Sequence, residues 1–152
     1  MRRLRRPSAL QGGERLLRLC NETITVFNSQ FSPELDRDVY TGTVIAGVSW
    51  FCEIASAVIQ SGLKSADKFT IRIPDNADFG GKSYVDPVAY KTSDPATVFT
   101  LKNGDIIVKG AVETTGMTPA ALQKQSVDFV TVLGVTDNRR APNAPHWKVV
   151  GA

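Results

Sequence analysis

Gly104-Asp105-Ile106-Ile107-Val108-Lys109-Gly110 and Phe129-Val130-Thr131-Val132-Leu133-Gly134-Val135 are the two runs that decide the fold class. Both are short, rich in β-branched residues and bounded by turn formers, which is the pattern of strands in a small β domain. The polar cluster Thr136-Asp137-Asn138-Arg139-Arg140 follows the second run. A Pro-broken loop and a last strand-like run, His146-Trp147-Lys148-Val149-Val150, come after it.

Working outward, Lys68-Phe69-Thr70-Ile71-Arg72-Ile73 has the clearest period of two in the chain. It places Phe69, Ile71 and Ile73 on one face and Lys68, Thr70 and Arg72 on the other. Pro74 ends it, since proline has no N–H to give a ladder. Glu22 to Phe27 alternates in the same way. Asn28 to Asp38 is polar, carries Ser32-Pro33-Glu34 and predicts a loop with one helical turn. Val39 to Trp50 reads as a strand bent at Gly42 or Gly47, continued by Phe51 to Ile59. Ser61 to Asp67 reads as a turn.

Asp75 to Thr92 is a long excursion holding Gly80-Gly81 and Pro87, with one helical turn at Pro87-Val88-Ala89-Tyr90 opened by Asp86. Phe99 to Leu101 is a short strand, and Asn103-Gly104 signals a hairpin turn into Asp105 to Val112. Thr118 to Lys124 predicts a short helix with Thr118 as N-cap and Pro119 as its first residue. The expectation is one mainly-β domain: a small barrel or sandwich of about seven short strands with one or two short helices.

Length and composition agree with a single domain. The chain has 152 residues, 42% of them hydrophobic and 22% charged, which are ordinary values for a globular protein. The net charge of +3 conceals an asymmetry. Residues 1–19 hold six Arg and one Glu (+5), and residues 20–152 hold twelve Lys or Arg against fourteen Asp or Glu (−2). The basicity therefore belongs to an N-terminal arm, and the body lacks the electrostatic footprint of a nucleic-acid binder. Two readings of the arm stand side by side. Arg2 to Arg6 could grip phosphates. Alternatively, Gln11-Gly12-Gly13-Glu14 is encodable by a purine-rich ribosome-binding stretch, which would make translation start near Leu17 and the arm a gene-calling artefact. Its only expected structure is weak helix over Gly13 to Leu19. The N-terminus has charges without the apolar stretch of a signal peptide, so synthesis in the cytoplasm is expected, with Cys20 and Cys52 as free thiols.

No constellation for catalysis stands out. His146 is the one histidine, and its place between Pro145 and Trp147 suits packing at a strand edge better than base catalysis. The acid pairs Asp36/Asp38 and Asp75/Asp78 read as solvated turn carboxylates. Asp75 to Gly80 lacks the ligand series and closing Glu of a calcium loop. Gly80-Gly81-Lys82-Ser83 lacks the earlier Gly, strand and helix of a phosphate loop. No cofactor or metal is expected. Trp50 and Trp147 read as core or core-rim residues. In Asp137-Asn138-Arg139-Arg140 the two arginines point to different sides, so one can pair internally while the other faces a partner. A solvated turn with one structural ion pair is the plainer reading of the same residues.

A resemblance adds context. It is carried by Cys20 to Asn28, Thr43 to Trp50, Ala66-Asp67, Thr70 to Pro74, Gly104 to Gly110, Val135 to Arg140 and Pro145 to Gly151. Over residues 20–151 the chain resembles a family of small proteins from tailed phages and prophages of Gram-positive gut bacteria, and residues 1–16 have no counterpart in that pattern. The resemblance implies a virion structural protein, a head-closure or adaptor subunit that forms a ring between portal and tail and works by assembly without chemistry. Its implied partners are copies of itself, portal, adaptor and tail proteins, and packaged DNA through non-specific contact. Its implied place is the virion neck. The subunit-contact candidates are Asp137, Asn138, Arg139 and Arg140 with Asp75, Asp78, Lys82 and Tyr84 of the long excursion. Capsid decoration or a tail component are variants of the same class. A nucleic-acid-binding barrel of the oligonucleotide-binding kind is the reading from a different class.

The arm has no hydrophobic period, so a chain starting at Leu17 is expected to melt at the temperature of the full chain. A large drop in melting temperature of the shorter chain would show that the arm contributes to the core.

Overall fold

The computed structural model describes residues 20–53, 56–59, 62–65, 67–112, 118–124 and 128–152. The N-terminal arm and its expected weak helix lie outside the described residues. In chain order the elements are β1 (Glu22–Ser32), β2 (Arg37–Glu53), β3 (Ser56–Ile59), β4 (Gly62–Ser65), β5 (Lys68–Pro74), β6 (Ser83–Tyr84), α1 (Pro87–Tyr90), β7 (Val98–Phe99), β8 (Ile106–Lys109), α2 (Pro119–Lys124), β9 (Phe129–Asn138) and β10 (His146–Gly151).

Six antiparallel strands close into a barrel in the order β1-β2-β5-β10-β9-β8, with β8 returning to pair with β1. The mainly-β expectation holds, and the architecture is the barrel. A barrel this narrow has no room for a channel and fills with side chains. Ile24, Val26, Ile45, Val48, Ile71, Ile73, Ile107, Val130, Val132, Trp147 and Val149 occupy its interior cluster. The period-two reading of β5 is met, with Ile71 and Ile73 fully buried and Phe69 packed against the same cluster. Strand β8 is buried on both faces. Its Ile107 faces the interior, while Ile106 and Val108 join Phe27 and Leu122 in a second cluster that includes a residue of α2. Burial on both faces explains why three apolar residues run together there. Thr118 caps α2 as expected, its Oγ1 accepting from Ala121 N at 3.2 Å.

Three local expectations fail for physical reasons. Residues 28–38 are not a loop. β1 and β2 stay paired from Asn28↔Thr41 to Ser32↔Arg37 and turn only over 33–36. The ribbon there lies beyond the barrel core, so no hydrophobic alternation marks it. Gly62–Ser65, read within a turn, is a strand paired with β3. Asn103-Gly104 does form a turn, with Gly104 at φ +89°, but it does not join hairpin partners. β7 pairs in parallel with β6, and β8 pairs with β1 and β9. The expected bend in β2 falls at Gly47. It has φ +86° and is skipped where the register shifts between Glu22↔Val48 and Thr23↔Ala46, a bulge that glycine accommodates.

The excursion after β5 folds over one end of the barrel. Phe79 stacks on Phe99 at 5.0 Å and meets Trp147 edge-on at 6.0 Å, and Tyr84 lies 4.7 Å from Trp147. Asp78 anchors the excursion to β2 through two backbone hydrogen bonds with Ala46, at 2.9 and 3.0 Å.

Closure leaves one position without space. A Cβ on Gly151 would sit 2.8 Å from Thr131 O and 3.0 Å from Val130 Cγ2, where β10 meets β9. Gly151→Ala is expected to cost about 1–3 kcal/mol, the range for overpacking. Urea unfolding checks it, and an unchanged midpoint would contradict the tight approach.

Candidate functional site

Two surface regions are built with more polar structure than packing alone requires. The first surrounds Arg139. Strand β9 runs through Asn138, and the turn that follows is closed by Ala141 N donating to Asn138 O at 3.0 Å. Asp137 organises it. Its Oδ1 accepts from Arg139 N at 3.0 Å, and both carboxylate oxygens accept from the guanidinium, Nε at 2.9 and 3.1 Å and Nη2 at 2.7 Å. The guanidinium carbon lies 4.9 Å from the ring centres of both Tyr84 and Trp147. Arg139 beside Asp137 holds that carboxyl below its ordinary value. Arg140 is exposed and has no ion pair among the described residues.

The structure thus brings together Tyr84, Asp137 and Arg139, with Arg140 next to them. One arginine pairs internally and the other faces solvent. Asn138 points to His146, Nδ2 to Nε2 at 3.4 Å. Asp75 is exposed, and its charge is felt at Arg139. Asp78 and Lys82 sit elsewhere, on the seam between the excursion and β2. The Asp78 carboxylate accepts from Gly80 N, and Lys82 Nζ donates to Gly42 O at 3.1 Å and Thr43 Oγ1 at 3.0 Å. Burial lowers the Lys82 pKa, with Asp94 opposing.

The second region is the overhang of the β1–β2 hairpin with α1, and sequence reading missed it. At its root Asn28 is buried and uses its whole amide. Nδ2 donates to Thr100 O and to Asp105 Oδ2, both at 2.7 Å, and Oδ1 accepts from Thr100 N at 3.1 Å. The side chain takes the place of a neighbouring strand for Thr100. Lys102 closes the cluster, Nζ donating to Ser29 O at 2.9 Å and Ser29 Oγ at 2.8 Å and lying 3.5 Å from Asp105 Oδ1. Further out, Gln30 Nε2 lies within hydrogen-bond distance of three carbonyls at the end of α1, Tyr90 O, Lys91 O and Ser93 O. The start of α1 is held by Asp86 Oδ1, which accepts from Val88 N and Ala89 N at 2.9 Å each. Burial, then the nearby Asp105, pushes Tyr90 up to about 12.

These bonds brace elements that hold apolar side chains open to solvent. Phe31 is 57% exposed, Leu35 56%, Val39 37% and Val88 76%, four of the six large hydrophobic side chains exposed among the described residues. A cleft of about 690 Å³ lies between hairpin and α1, lined by Phe31, Asp38, Pro87, Val88, Lys91 and Lys102 among others. A separate hollow of about 520 Å³ is lined by Trp50, Cys52, Phe69, Lys109, Asp128 and Phe129. Among the described residues no group of three or more His, Cys, Asp or Glu could hold a metal ion, and no helix is long and apolar enough to cross a membrane.

Residues 19–152 match a family of unknown function, DUF6751, and the chain belongs to that family. No curated protein and no solved structure matches it.

Asp105 yields a pH prediction. Burial raises its carboxyl from 3.8 to about 6, against the opposing pull of Asn28 and Lys102. The folded chain then holds this proton more tightly than the unfolded chain. The contribution to stability is greatest below pH ~4 and is lost as pH rises through ~6, by about 2–3 kcal/mol. Asp105→Asn keeps the shape and an acceptor for Asn28 but has no proton to lose. Its melting temperature relative to the parent chain is therefore expected to rise between pH 4 and 7. A difference that stays constant with pH would rule out this titration.

Proposed function

We propose that this protein is a structural subunit that works by assembly, a ring-forming closure or adaptor protein of the head–tail connector of a tailed phage. The observation that supports it best is the braced hairpin. It projects from a closed barrel and holds Phe31, Leu35 and Val39 to solvent, with Phe31 sharing a cleft with Val88. Register puts Phe31 with Asp38 on one face of the ribbon and Val39 with Gln30 on the other, so exposed apolar side chains meet solvent on both of its faces, where neighbouring proteins could cover them. The Arg139–Tyr84–Trp147 stack with exposed Arg140 supplies a second contact surface, of the residue types common at binding hot spots. The resemblance to phage proteins gives the context in which such a subunit works, and that step is an analogy. In this reading the barrel keeps its shape while hairpin and excursion meet neighbours, and the ring is closed and cyclic.

A single-strand-binding barrel is the reading from another class. Phe31 and Phe51, 57% and 55% exposed, are its support, as rings on which bases could stack. The slightly acidic body weighs against it. Salt-dependent binding of an unstructured oligonucleotide would favour it over assembly.

The connector reading expects the protein in the virion neck at the copy number of one ring. The double substitution Arg139→Ala with Arg140→Ala is expected to cost the isolated chain no more than about 1 kcal/mol, since the ion pair is exposed. It should nevertheless impair joining of heads to tails, because losing a charge buried at an interface costs ~2–5 kcal/mol. Counting complete virions and free heads is the measurement. Normal virion yield would remove these arginines from the contact, and capsid-like copy number would move the protein to the decoration class.

A further inference from the structure

The hairpin carries two features that suit each other. Its tip, Pro33-Glu34-Leu35-Asp36, places an exposed leucine between two carboxylates. Neither carboxylate has an ion pair among the described residues. One long, exposed hydrogen bond spans the tip, Leu35 N donating to Ser32 Oγ at 3.4 Å. Asp36 holds φ +50°, the left-handed region where glycine would be easiest. The chain keeps a carboxylate there instead.

The cleft beside the hairpin root offers the complement. Its apolar wall is Phe31, Pro87 and Val88. Lys91, exposed and without an ion pair among the described residues, stands at the end of α1 and is the cation the cleft has to offer, since Lys102 on the same lining is held by Ser29 and Asp105 and the remaining charge of the lining is the carboxylate of Asp38. The width of that cleft is held by the Gln30 bonds to the α1 carbonyls and by the Asn28–Asp105–Lys102 cluster.

We infer that the occupant of this cleft is the hairpin tip of a second copy of this chain. Leu35 enters between Phe31 and Val88, and Glu34 and Asp36 turn toward Lys91. The inference rests on the ring reading for its stoichiometry and not for the contact itself. Tip and cleft are different surfaces, so repeating the contact head to tail closes a ring if the rotation allows. A pair of copies can also exchange tips reciprocally and stop at a dimer.

The full chain is measured by sedimentation at about 100 μM, a concentration at which contacts with micromolar Kd are saturated. Lys91→Glu and the tip variant Glu34→Lys with Asp36→Lys are compared with it, each first shown to melt like the parent chain. Each variant alone is expected to weaken self-association at least ~10-fold. Mixing the two restores opposite charges at every contact between unlike chains, and association should return. Leu35→Ser should weaken it with no change of charge, and Val88→Glu should do so from the other side.

If the parent chain associates and the variants associate equally well, the tip–cleft contact is wrong while a ring through other surfaces stands. If the variants dissociate and the mixture recovers but the parent is a dimer, the contact stands and the ring reading falls. A parent chain that stays monomeric overturns both.

Discussion

The four-residue seam between β1 and β8, Ile24↔Lys109 to Phe27↔Ile106, is the constraint on which the rest of the molecule depends. Without it β1 and β8 would be two open edges of a sheet, each with unpaired backbone groups. With it every barrel strand has two neighbours, and alternation along each strand is forced to be interior or exterior. The seam also explains Thr25 and Phe27, fully buried on the outer face of β1. Thr25 Oγ1 donates to Gly110 O at 2.8 Å and accepts from Val112 N at 3.2 Å, tying the chain just after β8 to the strand it closes on. Phe27 packs with Ile106, Val108 and Leu122, which covers the seam from outside.

The seam is shorter than the strands it joins, and the overhang follows from that. β1 has 11 residues and meets β8 over only Ile24–Phe27. β2 has 17 residues and meets β5 over only Ser49–Glu53. Beyond the seam, 28–32 of β1 and 37–41 of β2 pair only with each other and leave the barrel as a two-stranded ribbon. An isolated ribbon is marginally stable in water. Here it is held from the side, by Asn28 at the point where the seam ends and by Gln30 against α1. The buried carboxylate of Asp105 in that brace is costly when ionised, which is why its pKa rises to about 6. Lys102 and Asn28 offset part of that cost.

What could be read from the chain beforehand tracks how strongly the core acts on each segment. β5, β9 and β10 touch the barrel interior along their length, so alternation or β-branched runs gave them away. The caps Asp86 and Thr118 were legible because capping is chemistry of the local backbone. The ribbon over 28–38 was not legible, since its residues answer to pairing and to α1 instead of a core. The partner of the Asn103-Gly104 turn was misassigned because turn chemistry says where the chain reverses and not which strand it meets. Among the expected contact residues, the Asp137 and Arg139 pairing is local and could be anticipated from the spacing. The Tyr84 and Trp147 platform is not, because it joins the excursion to β10 across nearly half the length of the domain. Asn28 and Asp105 are likewise far apart in sequence, and nothing in a polar residue near the end of a strand says that its amide will be fully buried.

The brace and the exposed side chains belong to one argument. A solvent-exposed phenylalanine or leucine on a mobile loop gains little by binding, because docking must first freeze the loop. The same side chain on a ribbon already fixed by Asn28, Gln30 and the capped helix α1 has that ordering behind it before a partner arrives. Ionising a buried Asp105 and leaving Phe31, Leu35 and Val88 in water both lower the stability of the isolated chain. Both become reasonable if the folded unit includes a neighbour, since burial of the apolar side chains at a contact returns stability of the size of the Asp105 cost. On that view the barrel is the scaffold, and the overhang left by its short seam is the part of the sequence shaped for assembly.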